Sequence, residues 1–165
     1  MVAPDASAQR QTISGEVRAR IDGEIALYPQ PRGALLAALR FVQEEHGFVT
    51  PEATSEIAEI FGIGTLEVIE VVSFYNMLHD HSVGRHQVYV CTSLSCSLRG
   101  GRRLLSELEK HLGVRAGETT ADGRITLGHE ECLGACGYAP MLRVGATYHE
   151  DLDVARAKAL LDGLD

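Results

Sequence analysis

Between Arg40 and Arg85 the chain has no lysine or arginine, although the same span carries Glu44, Glu45, Glu52, Glu56, Glu59, Glu67, Glu70 and Asp80. Those eight acids match the whole formal net charge of −8, because residues 85–165 nearly balance, with ten basic and eleven acidic side chains. Such a stripe reads as a solvated helical face that can steer a basic partner. It repels a phosphate backbone, so no nucleic-acid partner is expected. No stretch reaches the ~18–20 consecutive apolar residues of a membrane span, which excludes direct insertion through a single apolar helix. Met1–Ser7 lacks a basic region followed by an apolar run, so a secretory signal is not expected and a reducing cytoplasm is. Outside Cys91, Cys96, Cys132 and Cys136 there is no thiol at all. C-x-x-C is absent too, which argues against thiol–disulfide exchange as the activity.

What is present divides into two halves. An apolar content of 45% over 165 residues is enough for a packed core in one domain or two small ones. Residues 1–11 read as a flexible lead-in. Over 12–84 the period is helical. Val17, Ile21 and Ile25 mark a first helix ending near Tyr28-Pro29, and Leu35, Leu36, Leu39 and Val42 a second, stopped by Gly47. Thr50-Pro51-Glu52 combines an N-cap hydroxyl, a proline at the first helical position and a dipole-matched acid, so a third helix starts there and ends at Gly62. The fourth starts at Thr65 and presents Leu66, Ile69 and Val72, with Phe74 and Tyr75 as core residues at the end of the bundle.

Over 85–165 the pattern changes. His86–Cys91 alternates as a strand, Gly100–Gly113 brackets an amphipathic helix, and Asp122-Gly123 is a turn before a strand over Arg124–Leu127. Met141–Val144 and Thr147-Tyr148 form a hairpin turning near Gly145-Ala146, and Asp153–Leu164 closes the chain as a helix. The fold class is α+β: a small N-terminal helical bundle, then a β-α-β-β-α layout compatible with a thioredoxin-like sandwich.

Both cysteine pairs, Cys91-x4-Cys96 and Cys132-x3-Cys136, fall where a strand hands over to a loop, so both can gather at one sheet edge. Four thiolates match the ligand set of a 2Fe–2S cluster, and these spacings leave loops long enough to wrap inorganic sulfide. A structural zinc module stays as a rival, although zinc knuckles favour a tighter C-x2-C. Gly134, Ala135, Gly137 and Ala139 leave room for backbone N–H groups to approach sulfur.

The runs Val90-Cys91-Thr92-Ser93-Leu94-Ser95-Cys96-Ser97-Leu98-Arg99-Gly100, Gly117–Gly123 and Glu131-Cys132-Leu133-Gly134-Ala135-Cys136-Gly137-Tyr138-Ala139-Pro140 resemble the thioredoxin-like 2Fe–2S subunit of NADH:quinone oxidoreductase, respiratory complex I. Val72-Ser73-Phe74-Tyr75 resembles the same family's end-of-bundle motif. The likeness covers roughly residues 13–160, and the short lead-in resembles bacterial members. The resemblance implies one 2Fe–2S cluster, with Cys91 and Cys96 on one iron and Cys132 and Cys136 on the other. It also implies a partner subunit carrying FMN and binding NADH, further subunits of the complex, and no substrate-transforming site on this chain. The expected place is the cytoplasmic face of the inner membrane, held there through the complex. The closest rival is the same subunit type in an NAD-linked hydrogenase or an NAD-dependent formate dehydrogenase, which the chain alone does not exclude.

Four smaller features remain. Ala58, Gly62 and Val68 have helix-turn-helix spacing, but the candidate recognition helix offers Glu67 and Glu70 and no base, so helix packing is the better reading. His79 and His81 flank Asp80 and read as solvated loop residues. His129 is close enough to Cys132 to tune a cluster, with a surface position expected. Ala139-Pro140, just before a strand, is a candidate cis peptide.

Overall fold

Ser14 starts the first helix by accepting the Val17 N–H at 3.2 Å. The structure is a computed structural model that describes residues 13–165, and the lead-in expected over 1–11 lies outside them. Helix α1 spans Gly15–Ile25, and a 3-10 turn over Pro31–Ala34 leads into α2, Leu35–His46. Thr50 caps α3, Pro51–Phe61, by accepting the Ala53 N–H at 3.1 Å. Helix α4, Thr65–Phe74, begins where the Glu67 carboxylate accepts the Gly64 N–H at 3.1 Å. Each cap satisfies a backbone donor that the first helical turn leaves open. Val17, Ile21, Leu39, Val42, Ile57 and Val68 then meet in one apolar core.

The expected face of α4 needs correcting. Val68 and Val72 point inward, whereas Leu66 and Ile69 are exposed and Phe74 is 80% exposed. Phe74 lies about 200° round the helix from Val72, so it cannot share the buried stripe. Phe74 and Tyr75 pack on each other instead, edge to face with centroids 5.2 Å apart. Ala58 and Val68 are core residues and Gly62 makes the corner between α3 and α4 in a left-handed conformation, φ 62°. The helix-turn-helix spacing is thus accounted for by packing. His79 also departs from expectation: it is buried, its backbone carbonyl accepts the Val49 N–H at 2.7 Å, and its N–H bonds Gln43 Oε1 at 2.7 Å. His81 is exposed beside Asp80.

The chain divides into two compact units after Ser82. In the second unit β1 (His86–Cys91) is followed by the one-turn helix α5 (Leu94–Leu98), α6 (Gly101–Leu112), β2 (Glu118–Thr119) and β3 (Ile125–Glu130). Strands β4 (Leu142–Val144) and β5 (Thr147–His149) and helix α7 (Val154–Asp162) complete it. The sheet order is β2-β3-β1-β4-β5, with β1 parallel to β3 and antiparallel to β4. Strand alternation sends Val88, Val90, Ile125, Leu127 and Leu142 to one face, where they pack with Leu104 and Leu108 of α6 and Leu161 of α7. Tyr89, Cys91, Glu130 and Arg143 fall on the other. The hairpin turns at Gly145-Ala146 as expected. Strand β3 runs past Leu127 to Glu130, and β2 and α5 are elements that the sequence pattern does not announce.

Candidate functional site

Parallel pairing of β1 and β3 brings their C-terminal ends to the same edge of the sheet. Cys91 is the last residue of β1 and stands in register with Glu130, the last of β3. The Thr92 N–H donates to the Glu130 carbonyl at 2.9 Å, which fastens the two chain exits side by side. Cys132 follows two residues later. Strand β4 is antiparallel, so its beginning lies at that edge as well, and the Cys91 N–H donates to the Met141 carbonyl at 3.1 Å. The segment carrying Cys136, a 3-10 turn over Cys136–Tyr138, runs back into β4 through a cis Ala139-Pro140 peptide.

Cys96 comes to this edge inside α5, not on the open loop expected between the first two cysteines. The Ser97 N–H bonds the Ser93 carbonyl at 2.7 Å and Ser97 Oγ bonds the Thr92 carbonyl at 2.7 Å, closing that turn. Gly101 lets α6 begin directly against it. A Cβ at Gly101 would stand 2.8 Å from the Cys91 carbonyl oxygen and 2.9 Å from that of Cys96. No other residue fits that approach without moving backbone.

All four cysteines are free thiols, in two environments: Cys91 and Cys96 are buried, Cys132 and Cys136 exposed. Cys91 and Cys96 share a small apolar cluster with Ala139 and Met141, and Leu133 and Ala135 pack against it. Both of those side chains belong to the loop between Cys132 and Cys136, so the second pair's loop covers the first pair. Burial pushes the Cys96 thiol up to about 11, helped by the adjacent Cys91 sulfur and by Cys136, while the Met141 N–H bonded to its sulfur works the other way. A bound metal cation would offset that cost, because metal binding takes the thiolate and releases the proton. The Gly134 N–H approaches Cys132 Sγ at 3.4 Å, in a loop that Gly134 turns with φ 79°.

Soft sulfur donors, apolar cover on one pair and backbone N–H groups aimed at sulfur suit an iron–sulfur centre. Among the described residues no three His, Cys, Asp or Glu side chains are gathered as a single-ion site. His129 is exposed, the surface position expected of it. Met141 and Gly101 escape a reading of the sequence, since their roles exist only once β4 and α6 are docked. Arg143 and Glu130 escape it likewise; they form a buried ion pair, Nη2 to Oε1 3.0 Å, on the sheet face that carries Cys91.

The sequence profile described as "Thioredoxin-like [2Fe-2S] ferredoxin" matches residues 21–165. An NADH-quinone oxidoreductase subunit of Rhizobium meliloti (strain 1021) is 43% identical over 88% of this chain and 87% of its own length. The corresponding NADH-quinone oxidoreductase subunit of Mycobacterium tuberculosis (strain ATCC 25618 / H37Rv) is 37% identical over 98% of this chain, which spans 61% of that longer protein. Among solved structures, an NAD+-reducing [NiFe]-hydrogenase in the air-oxidized state superposes with a TM-score of 0.69 at 25% identity, over 79% of this chain and 22% of the hydrogenase chain. With its sheet, its cysteine edge and these likenesses, the chain belongs to the thioredoxin-like 2Fe–2S ferredoxin family.

Proposed function

We propose that this chain is an electron-transfer subunit of an NADH:quinone oxidoreductase, holding one 2Fe–2S cluster on Cys91, Cys96, Cys132 and Cys136. One observation carries the reading: four free thiols leave a single sheet edge, and the loop of the exposed pair packs over the buried pair. Cys91 and Cys96 would hold one iron, Cys132 and Cys136 the other. When bound, the cluster supplies one-electron exchange. The chain's own groups set the terms of that exchange. The Gly134 and Met141 N–H groups offset thiolate charge, and Leu133 and Ala135 keep water from the first pair.

FMN and NADH belong to a partner flavoprotein subunit in this reading, and this chain transforms no substrate itself. It joins further subunits at the cytoplasmic face of the inner membrane through the complex. Among the described residues no helix is long and apolar enough to cross a membrane. The hydrogenase likeness favours a second reading, the equivalent subunit of an NAD-linked hydrogenase or formate dehydrogenase. Relatives at 37–43% identity over most of the chain weigh toward the quinone oxidoreductase.

Purification under reducing, anaerobic conditions tests the cofactor. Iron and sulfide in equal amounts, about two of each per chain, with visible absorbance that bleaches on reduction, are expected for this cluster type. A colourless protein containing zinc defeats it. Copurification from the native source separates the two complexes: a flavoprotein with quinone-linked subunits supports the first reading, and a nickel–iron subunit the second.

A further inference from the structure

Strands β3 and β4 lie on opposite sides of β1, about 10 Å apart across it. Even so, Arg143 of β4 and Glu130 of β3 form an ion pair of 3.0 Å. Their side chains therefore meet over β1. The β1 residues on that face are Tyr89, in register with Arg143, and Cys91, in register with Glu130. The Arg143 guanidinium stacks 4.2 Å from the centre of the Tyr89 ring. That ring fits because its β3 neighbour is Gly128, where a Cβ would stand 2.6 Å from it. With the Tyr89 ring against it and Glu130 ahead, the guanidinium reaches over β1 on the sheet face that also carries Cys91. Arg143 is 5% exposed and Glu130 9%, and a second Arg143 nitrogen donates to the Gly145 carbonyl at 2.9 Å.

Stability alone does not account for this pair, since well-packed apolar residues commonly serve as well as a buried ion pair or better. Position does. A guanidinium keeps its charge at every working pH, and inside protein a unit charge is felt over about 10 Å. Glu130 also accepts, through its backbone carbonyl, both the N–H and the Oγ1 of Thr92, at 2.9 and 3.2 Å. It thus ties the residue after Cys91 to the strand end just before Cys132.

We propose that Arg143, paired with Glu130, is a positioning residue for the metal centre: a fixed charge pair on the sheet face of Cys91 that sets the electrostatic field at the cysteine edge. The inference rests on reading the four cysteines as cluster ligands. The two halves of the pair act with opposite sign. Removing the guanidinium leaves the Glu130 charge to oppose an incoming electron; removing the carboxylate leaves the guanidinium to attract one.

The test is a redox titration of the full chain, followed by visible absorbance and EPR, for wild type, Arg143→Gln, Arg143→Lys, Glu130→Gln and the Arg143→Gln/Glu130→Gln double variant. Poised at the wild-type midpoint, Arg143→Gln is expected to lower the reduced-to-oxidised ratio about tenfold and Glu130→Gln to raise it about as much, the size for a unit charge some 10 Å away. The double variant returns toward wild type, and Arg143→Lys stays close to it. If Arg143→Gln does not keep its cluster, the Glu130→Gln shift and its cancellation in the double variant still decide the matter. Equal potentials in all variants, or shifts of the same sign in both single variants, overturn the proposal. A wild-type chain without iron instead overturns the assignment of the cluster, so the two failures are distinguishable.

Discussion

The two cysteine pairs leave the same sheet edge into different surroundings, and the difference separates what packing fixes from what stays open to solvent. Cys91 and Cys96 are 3% and 1% exposed, carried by a strand end and a helical turn against which α6 is packed. Cys132 and Cys136 are exposed on a loop and a 3-10 turn. Regular elements place side chains more accurately than loops do. The first pair is therefore preorganised by packing, while the second offers access from solvent. Neutral thiols are cheap to bury, but thiolates are not. That is why burial holds the Cys96 thiol more firmly protonated in the absence of metal, with its pKa raised to about 11.

Disturbing the packing behind the buried pair gives the largest expected effect. Gly101→Val places a side chain where a Cβ alone meets backbone oxygens at 2.8 and 2.9 Å. Forcing α6 away from both cysteines costs about 1–3 kcal/mol. A fall in the thermal midpoint of the iron-free chain, with loss of bound iron, is the expected result; an unchanged midpoint breaks the claim that α6 preorganises the first pair. Next comes Cys96→Ala, which removes a buried sulfur and lowers iron-free stability by about 1 kcal/mol, judged as lost apolar burial. Cys132→Ala should stay within about 0.5 kcal/mol of wild type, as exposed substitutions do. Chemical denaturation of the iron-free variants measures both, and equal losses erase the contrast. Iron content should fall in each.

That contrast is only partly legible in the sequence. The pairs, their spacing and the strand ending at Cys91 are readable because alternation in His86–Cys91 is strong and a thiol has few other uses in such a cluster. Caps at Thr50 and stops at Gly47, Gly62 and Gly113 are readable for the same local reason: each meets a backbone demand within three or four residues. What escapes depends on partners distant in sequence. Strand β2 is two residues long and exists through its pairing with β3. Helix α5 is a single turn, too short to announce itself by period, and is held by the contacts around Cys96. In α4 Leu66, Val68, Ile69, Val71 and Val72 put apolar side chains on most sides of the helix, which hides the phase, so Phe74 and Tyr75 read as inward and lie outward. Arg143 and Glu130 read as two ordinary charges until the register of three strands puts them together.

The gentlest test changes no residue and reads the same difference through reactivity. Alkylation proceeds through the thiolate. With its pKa raised to about 11, Cys96 is ionised to only about one part in a thousand at pH 8, and each unit of pH up to that value multiplies the reactive fraction about tenfold. Burial slows it further. In the iron-free chain at pH 8, Cys132 and Cys136 should therefore be modified first and Cys96 last, with Cys96 gaining as the pH rises. Mass spectrometry of digests after timed quenching resolves the order. Cys96 reacting as fast as Cys132 at pH 8 means that the loop carrying Leu133 and Ala135 opens freely, and the first pair is then no better organised than the second.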